Sequence, residues 1–332
     1  ELDGTSNKSR LGANAILAVS LAFSSACAEE LEQPLYEYYA SLINNKHIQL
    51  PRPTINLFSG GLHAGGQVPI QDVLVVPAAA QTIDEAMAMT YAVFQAAARL
   101  TKKRYGYRLL RADEGGLAPP FADADEMLAA AVEAIEAAGY KPGVEVSLAV
   151  DVASSHFFKN GGYVLDKDPI TSEAMIDIVA GWVNDYPIVS VEDGLAEEDW
   201  DNWAILKEKI GGKALVLGDD LLCTNPLRIE KAINMDAADA LLLKVNQIGS
   251  LTEAVEAFNI ARAAGWKVTV SARSGETEDD WLADLAVGLS GNQIKVGSIT
   301  QSERLAKYNR LLVIEAETGM EMEAWPGEAS FK

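Results

Sequence analysis

The order of hydrophobic and polar residues divides the chain into two parts that meet near residue 49. The first part contains helical runs, a long one from Ala13 to Glu30 and a shorter one from Pro34 to about Asn45. Prolines at positions 51 and 53 then break the helical pattern, because proline disrupts a helix interior. We therefore predict a helical part over residues 1–48 and a second domain over residues 49–332.

Short apolar runs alternate with amphipathic helices beyond residue 49. Two β-branched runs, Thr54–Phe58 and Asp72–Pro77, predict a hairpin-like pair of strands, and helices follow over Ile83–Tyr105 and Asp123–Ala138. Six strand-and-helix units come next, with strands predicted at Val146–Val150, Ile188–Val191, Leu215–Gly218, Ala240–Leu243, Val268–Val270 and Gln293–Val296. Their helices are predicted at Ser172–Asn184, Asp199–Ile210, Pro226–Asn234, Leu251–Ala264, Asp279–Leu289 and Ser302–Thr318.

These six strands are continuous apolar runs, which is typical of strands that are buried on both faces. Repeated strand-and-helix units indicate an α/β fold with a parallel sheet. Closure with the two earlier strands would give an eight-stranded barrel. A doubly wound open sheet has the same periodicity and stays open as an alternative.

The charge balance limits the classes of partner. The chain has 27 Lys and Arg against 48 Asp and Glu, a formal net charge of −21. Such a chain repels a polyphosphate backbone and an anionic lipid surface, so we expect neither a nucleic acid nor a membrane partner. It also lacks the run of about 18 apolar residues that a membrane-spanning helix needs. An anionic substrate would require a local positive site, which a metal ion could supply.

An ionisable residue follows nearly every predicted strand of the repeat. In chain order these residues are Asp151, Glu192, Asp219, Lys244, Arg273 and Lys295. A barrel gathers the carboxyl ends of its strands around one mouth, where active sites lie. The sequence therefore predicts three acids facing three bases across a mouth.

The residue types at this mouth suggest its chemistry. Three carboxylates suit Mg²⁺, a hard cation that prefers oxygen ligands, and only three histidines are available for zinc or copper. For Lys244 and Lys295 we expect burial and neighbouring cations to lower the pKa, so that one can act as a general base. Arg273 and Ser274 together could hold an anion. Two glycine-rich loops, Ser59–Gly66 with His63 and Asp113–Gly116 with Glu114, would add a lid and a further carboxylate.

Several segments resemble the enolase family in order and at compatible spacing. They are Leu2–Thr5, Asp113–Gly116, Gly218–Leu221, Leu241–Ser250, Ser274–Asp279 and Ser302–Asn309. The resemblance implies an enolase-type (β/α)8 barrel with the remainder of a small N-terminal α+β domain, most of which would precede Glu1. It also implies a cytoplasmic phosphopyruvate hydratase of glycolysis that acts as a homodimer or larger oligomer.

The resemblance also implies a role for each matching residue. Asp151, Glu192 and Asp219 would hold Mg²⁺, Lys244 would take the α-proton, and Lys295 would stabilise the aci-carboxylate intermediate, an arrangement known in this superfamily. Glu114, with Asp72 near it, would assist the departure of the β-hydroxyl. Substrate binding would involve His63, Gln71, Arg273 and Ser274.

Some positions depart from the family pattern, mostly at the mouth. Ala272 stands where the family has histidine, Leu62 where serine is usual, and Asp72 where glutamate is usual, one bond (about 1.5 Å) shorter. The half of the site that abstracts the proton is therefore kept, while the half that holds the leaving group is altered. Three hypotheses follow: an enolase acting on 2-phosphoglycerate, a related lyase acting on another phosphorylated or phosphonylated carboxylate, or a non-catalytic scaffold.

Overall fold

The computed structural model describes residues 2–106, 110–165 and 168–327. Part of the second domain predicted above, 49–332, therefore lies outside the described residues. The strands are β1 Arg52–Pro53, β2 Ile55–Ser59, β3 Asp72–Val76, β4 Ser147–Asp151, β5 Phe158–Lys159, β6 Gly162–Tyr163, β7 Ile188–Glu192, β8 Leu215–Gly218, β9 Ala240–Leu243, β10 Lys267–Ser271 and β11 Gln293–Lys295. The helices are α1 Ala13–Glu30, α2 Leu35–Leu42, α3 Ile83–Tyr105, α4 Ala124–Ala137, α5 Ser172–Asp185, α6 Trp200–Ile210, α7 Pro226–Asn234, α8 Val245–Ile248, α9 Leu251–Ala263, α10 Trp281–Gly288 and α11 Ser302–Thr318.

The main sheet curls into a nearly closed barrel. Its strand order is β1-β11-β10-β9-β8-β7-β4-β3-β2. The strands at its two ends, β1 and β2, are one stretch of chain that Thr54 interrupts, so together they supply the eighth side of the barrel. The prediction of an α/β barrel is confirmed, and the doubly wound open sheet is not what the chain forms.

One strand of the barrel runs in the opposite direction to its neighbours. The predicted hairpin is present, because β3 pairs antiparallel with β2 and also with β4. All other neighbouring pairs in this sheet are parallel. The start of β3 therefore lies where the other strands end, and Asp72 is opposite Asp151. This reversal brings the residues before β3 to the mouth.

Two apolar layers hold the barrel together. The larger lies between the sheet and the surrounding helices, and a smaller cluster fills the barrel interior. The interior cluster contains Leu74, Val76, Ala149, Leu215, Leu217, Ala240, Leu242 and Trp325. Trp325 comes from the segment after α11 and is fully buried, so the end of the chain supplies the largest side chain of this cluster.

The first two helices pack against the outside of the barrel. Helix α2 lies closely against α10, where a Cβ atom at Gly288 would come within 2.4 Å of the carbonyl oxygen of Tyr36. Helix α1 contacts α8 and α9. None of the helices in the described ranges combines the length and the apolarity needed to cross a membrane.

Replacing Trp325 with alanine should destabilise the barrel. The change empties space among apolar side chains that have little room to collapse, and the expected loss is about 3–5 kcal/mol of unfolding free energy. Urea denaturation followed by circular dichroism measures it. Trp325→Phe retains a large ring and should cost less. A loss below about 1 kcal/mol for the alanine variant would mean that Trp325 does not support the interior.

Candidate functional site

Two lysines lie between the acidic strand ends at the mouth. Lys295, the last residue of β11, donates from Nζ to Oδ2 of Asp151 at 2.8 Å and to Oε2 of Glu192 at 2.6 Å. Lys244, which follows β9, donates from Nζ to Oδ2 of Asp219. The two acids that bind Lys295 end neighbouring strands at one level, since Asp151 of β4 pairs in register with Glu192 of β7. The structure thus brings together five of the six ionisable residues predicted from strand ends.

The carboxylates of this cluster are crowded and buried. Burial and the nearby charge of Asp151 raise the pKa of Glu192 well above its usual value. Burial opposes the charged form of Asp151 too, but Lys295 lowers the pKa of that carboxyl. One oxygen of Glu192, Oε1, is buried and has no hydrogen-bond partner among the described residues. That free acceptor is the kind of atom a bound cation would use.

The expected lowering of the lysine pKa values is wrong for this arrangement. Burial does disfavour the ammonium form of both side chains. For Lys244, however, Asp219 and Glu192 outweigh burial and raise the pKa. For Lys295, Asp151 and Glu192 raise it further. The prediction counted neighbouring cations, whereas the closest neighbours of each lysine are carboxylates.

The predicted Mg²⁺ ligands do not converge on one point. Among the described residues, two groups of three have ligand atoms that all lie within 4.8 Å of one another: His63, Asp72 and Glu114, and Asp193, Asp219 and Asp220. Neither contains the predicted set of Asp151, Glu192 and Asp219. In this structure Lys295 binds Asp151 and Glu192, and Lys244 binds Asp219, so the Mg²⁺ ligand set stays a prediction.

Glu114 lies on a tight loop that packs against the first strands. Its Oε2 accepts a hydrogen bond from Nδ2 of Asn56 on β2 at 3.1 Å. Gly115 adopts a φ of +86°, and a Cβ atom there would lie 2.4 Å from Oγ1 of Thr300. Only glycine fits this turn without strain. The loop therefore holds the buried Glu114 carboxylate at a fixed place.

His63 connects the two sides of the mouth. Its Nδ1 lies 2.9 Å from Oδ2 of Asp72, and its Nε2 lies 3.0 Å from Oγ of Ser274. The other Asp72 oxygen accepts a hydrogen bond from Ser59. Burial disfavours the imidazolium, but Asp72, with Glu114 and Asp151, raises the pKa of His63 to about 9. The contact with Asp72 therefore favours the protonated form of His63.

The remaining predicted residues occupy different positions at the mouth. Gln71 donates from Nε2 to Oδ2 of Asp151 at 3.0 Å, so in this structure it contacts a carboxylate of the acidic cluster. Arg273 is exposed at the rim, and Ala272 is buried behind it. A cavity of about 550 Å³ opens beside these two residues and reaches helix α1.

Sequence reasoning missed the residues that orient the site. Asp193 is buried and accepts hydrogen bonds from the backbone N–H groups of Asp219 and Asp220, at 2.9 and 2.7 Å. Gln247 donates from Nε2 to Oδ1 of Asp219 at 2.7 Å. The signal for Asp193 was available, because it directly follows the strand-end acid Glu192. Gln247 and Ser59 lie in the Leu241–Ser250 and Ser59–Gly66 segments noted above, but nothing in the sequence marked these two residues individually.

Comparison with known families agrees with this architecture. The chain matches the family described as "Enolase, C-terminal TIM barrel domain" over residues 47–332 and the enolase N-terminal domain over residues 1–39. Members of this family typically use Mg²⁺ and act on small phosphorylated carboxylates, and the mouth described above carries acidic groups that could hold a metal. The chain therefore belongs to the enolase family.

Proposed function

We propose that this chain catalyses the Mg²⁺-dependent dehydration of 2-phosphoglycerate to phosphoenolpyruvate. The observation that carries the proposal is the interleaving of Lys244 and Lys295 with three carboxylates at the barrel mouth. A metal site beside buried lysines suits removal of a proton α to a carboxylate, because the developing negative charge needs cations close by. Family membership supports the same reaction class.

Carboxylate oxygens are the donors that a hard divalent cation prefers, although Lys295 binds two of these carboxylates in this structure. Asp151 and Glu192 are almost completely buried, Asp219 is nearly so, and Oε1 of Glu192 has no hydrogen-bond partner among the described residues. We propose that these three residues hold Mg²⁺. When bound, Mg²⁺ would supply positive charge to the substrate carboxylate and neutralise the carboxylates that otherwise keep the lysines protonated.

Lys244 is proposed as the base that removes the α-proton. Burial is the largest influence on its pKa and favours the neutral amine, whereas the charges of Asp219 and Glu192 favour the ammonium. Gln247 donates to Oδ1 of Asp219, the oxygen that Lys244 does not bind, and this helps to hold that carboxylate in place. Lys295 is proposed to remain a cation and to donate to the carboxylate oxygen on which charge develops.

Glu114 is proposed to deliver a proton to the β-hydroxyl. The α C–H bond breaks toward Lys244, its electrons form the carbon–carbon double bond, and the β C–O bond breaks as water leaves. Asn56 orients Glu114 through the hydrogen bond to Oε2. Asp72 lies close to Glu114, but one oxygen of Asp72 already binds Ser59 and the other binds His63. We therefore propose that Asp72 orients its neighbours and does not itself transfer the proton.

The phosphate is proposed to bind Arg273, Ser274 and His63. His63, whose protonated form is favoured by Asp72, faces Ser274 across the mouth, and Arg273 carries a positive charge at the rim. Gln71 is proposed to reach the substrate from the neighbouring position on the Asp151 side. We also propose, from family membership alone, a cytoplasmic homo-oligomer of two or more subunits.

A second candidate is a related lyase whose substrate is another phosphorylated or phosphonylated carboxylate. The cavity beside Ala272 and Arg273 favours it, because this cavity leaves room for a larger distal group than 2-phosphoglycerate carries. The proton-abstracting residues would be the same. Their joint presence argues against a non-catalytic scaffold.

Asp219→Asn should weaken Mg²⁺ binding by more than about 10²-fold, since outer-shell partners alone are worth about 10–100-fold in metal affinity. Titration calorimetry measures the change. Asp239→Asn is the matched control, because Asp239 is a largely buried carboxylate that accepts a hydrogen bond from the N–H of Val216, near the start of β8. Equal Mg²⁺ affinity for wild type and Asp219→Asn would remove Asp219 from the metal site.

Lys244→Met should abolish exchange of the substrate α-proton with solvent deuterium, a loss of about 10³-fold or more for a missing general base. Proton NMR of 2-phosphoglycerate in D₂O follows the exchange. Lys267→Met serves as the control, because Lys267 pairs with Glu323 at the start of β10, far along the strand from the mouth. Exchange that persists in Lys244→Met would place the base elsewhere.

An assay with 2-phosphoglycerate and Mg²⁺ tests the function itself, with phosphoenolpyruvate followed by its ultraviolet absorbance. Turnover of about 10 s⁻¹ or more is an ordinary enzyme rate and would support the first candidate. Turnover orders of magnitude lower, with Mg²⁺ still bound, would contradict it. In that case Ala272→His should raise turnover if the missing imidazole is the limit. An unchanged rate would favour the second candidate.

A further inference from the structure

Two buried cations of helix α11 lie beneath residues 273–277, the anion-binding segment. Its buried residues are Arg304, Lys307, Tyr308, Leu311 and Ile314. The last three follow the usual apolar pattern of a helix face. The first two are charged, and they lie where α11 passes beneath residues 273–277. The proposed phosphate ligands Arg273 and Ser274 belong to that segment.

Arg304 donates hydrogen bonds to the backbone of Arg273 and Ser274, the two proposed phosphate ligands. Its Nη1 donates to the carbonyl oxygen of Arg273 at 2.7 Å, and its Nη2 donates to that of Ser274 at 2.6 Å. A guanidinium is a rigid planar fork, so two bonds to consecutive carbonyls fix both the place and the direction of the chain. The Arg273 and Ser274 side chains themselves point from this fixed backbone at the exposed rim.

The charge of Arg304 is only weakly compensated. The side chain is fully buried, and its Nε has no hydrogen-bond partner among the described residues. The nearest carboxylate oxygen, Oε1 of Glu303, lies 3.7 Å away. Burying a cation without a close counter-charge is costly. A guanidinium held mainly on carbonyl oxygens therefore keeps a positive charge close to the place where an anion is proposed to bind.

The stem of Arg304 also touches the catalytic side of the mouth. A Cβ atom at Gly297 would lie 2.8 Å from Cδ of Arg304 and 2.9 Å from the carbonyl oxygen of Glu114. Gly297 comes two residues after Lys295, and its φ of +104° is one that glycine alone adopts readily. Arg304 thus packs between the anion-binding segment and the loop that carries Glu114.

We propose that Arg304 is a positioning residue for the anionic group of the substrate. It holds Arg273 and Ser274 at a fixed distance from Lys295 and Glu114, and its charge adds to their attraction for a phosphoryl or phosphonyl group. Lys307 continues the support one turn along, since its Nζ donates to the carbonyl oxygen of Thr277. The inference rests on the proposed function for the location of the anion.

The test compares Arg304→Lys and Arg304→Met with the wild-type chain. Arg310→Met is the matched control: Arg310 lies on the same helix and makes a two-bond pair with Asp284, at 2.9 and 2.7 Å. The first readout is the dissociation constant of inorganic phosphate, measured by calorimetry. The second is the split between KM and kcat for 2-phosphoglycerate. Thermal melting shows whether each variant is folded.

Arg304→Met should weaken phosphate binding about tenfold to a hundredfold, because the hydrogen bonds of charged groups have a net value of roughly that size. KM should rise by a similar factor while kcat changes less. Arg304→Lys keeps the positive charge but loses the planar guanidinium that makes the two bonds, so its phosphate affinity should lie between those of Arg304→Met and the wild type. The lysine variant also tests the inference if Arg304→Met does not fold. Arg310→Met should change phosphate affinity less than twofold.

Two results would overturn the inference. One is unchanged phosphate affinity in folded Arg304→Lys and Arg304→Met, and the other is a wild-type chain that binds no phosphate. Failure of the proposed function looks different. A wild type that does not turn over 2-phosphoglycerate, yet loses phosphate affinity when Arg304 is replaced, would retain the inference and reject the substrate.

Discussion

The mouth of this barrel depends on one ammonium group between two buried carboxylates. Nζ of Lys295 binds Asp151 and Glu192 at once, and these residues end neighbouring strands. Two carboxylates that close repel each other, and burial adds to the cost of their charges. The lysine offsets this cost and fixes the distance between the strand ends. If the substrate bound Lys295 in their place, the carboxylates of Asp151 and Glu192 would be free to hold a cation.

The reversed strand β3 brings a second group of polar residues to the mouth. Because β3 runs antiparallel to β4, its first residues lie beside the carboxyl ends of the other strands. Asp72 can then hold His63 toward Ser274, which comes from the opposite side of the barrel. The residues proposed for proton abstraction and those proposed for anion binding therefore lie in adjacent sectors of one opening, and Arg304 of α11 binds the backbone of Arg273 and Ser274.

Much of the fold could be predicted because buried parallel strands leave a clear pattern. Runs such as Ala240–Leu243 are continuously apolar, and the predicted and observed bounds of that strand coincide. Short elements carried no such signal. Helix α8 has four residues, and strands β1, β5 and β6 have two each, which is too short for a period to emerge. The hairpin of β2 and β3 was predictable, but its consequence for Asp72 appeared only once β3 was seen to pair with β4.

The sequence by itself determined which residue types end the strands and hence which side chains meet at the mouth. It could do so because the order of strands along the chain fixes their order around a barrel. Only the tertiary structure decided the protonation and the contacts of those residues. The pKa values of Lys244 and Lys295 depend on which charges come within a few ångströms, and the nearest proved to be carboxylates. The contacts of Arg304 could not be predicted for the same reason, since its partners are two carbonyl oxygens 30 and 31 residues away, and a sequence pattern does not show which backbone groups a side chain will bind.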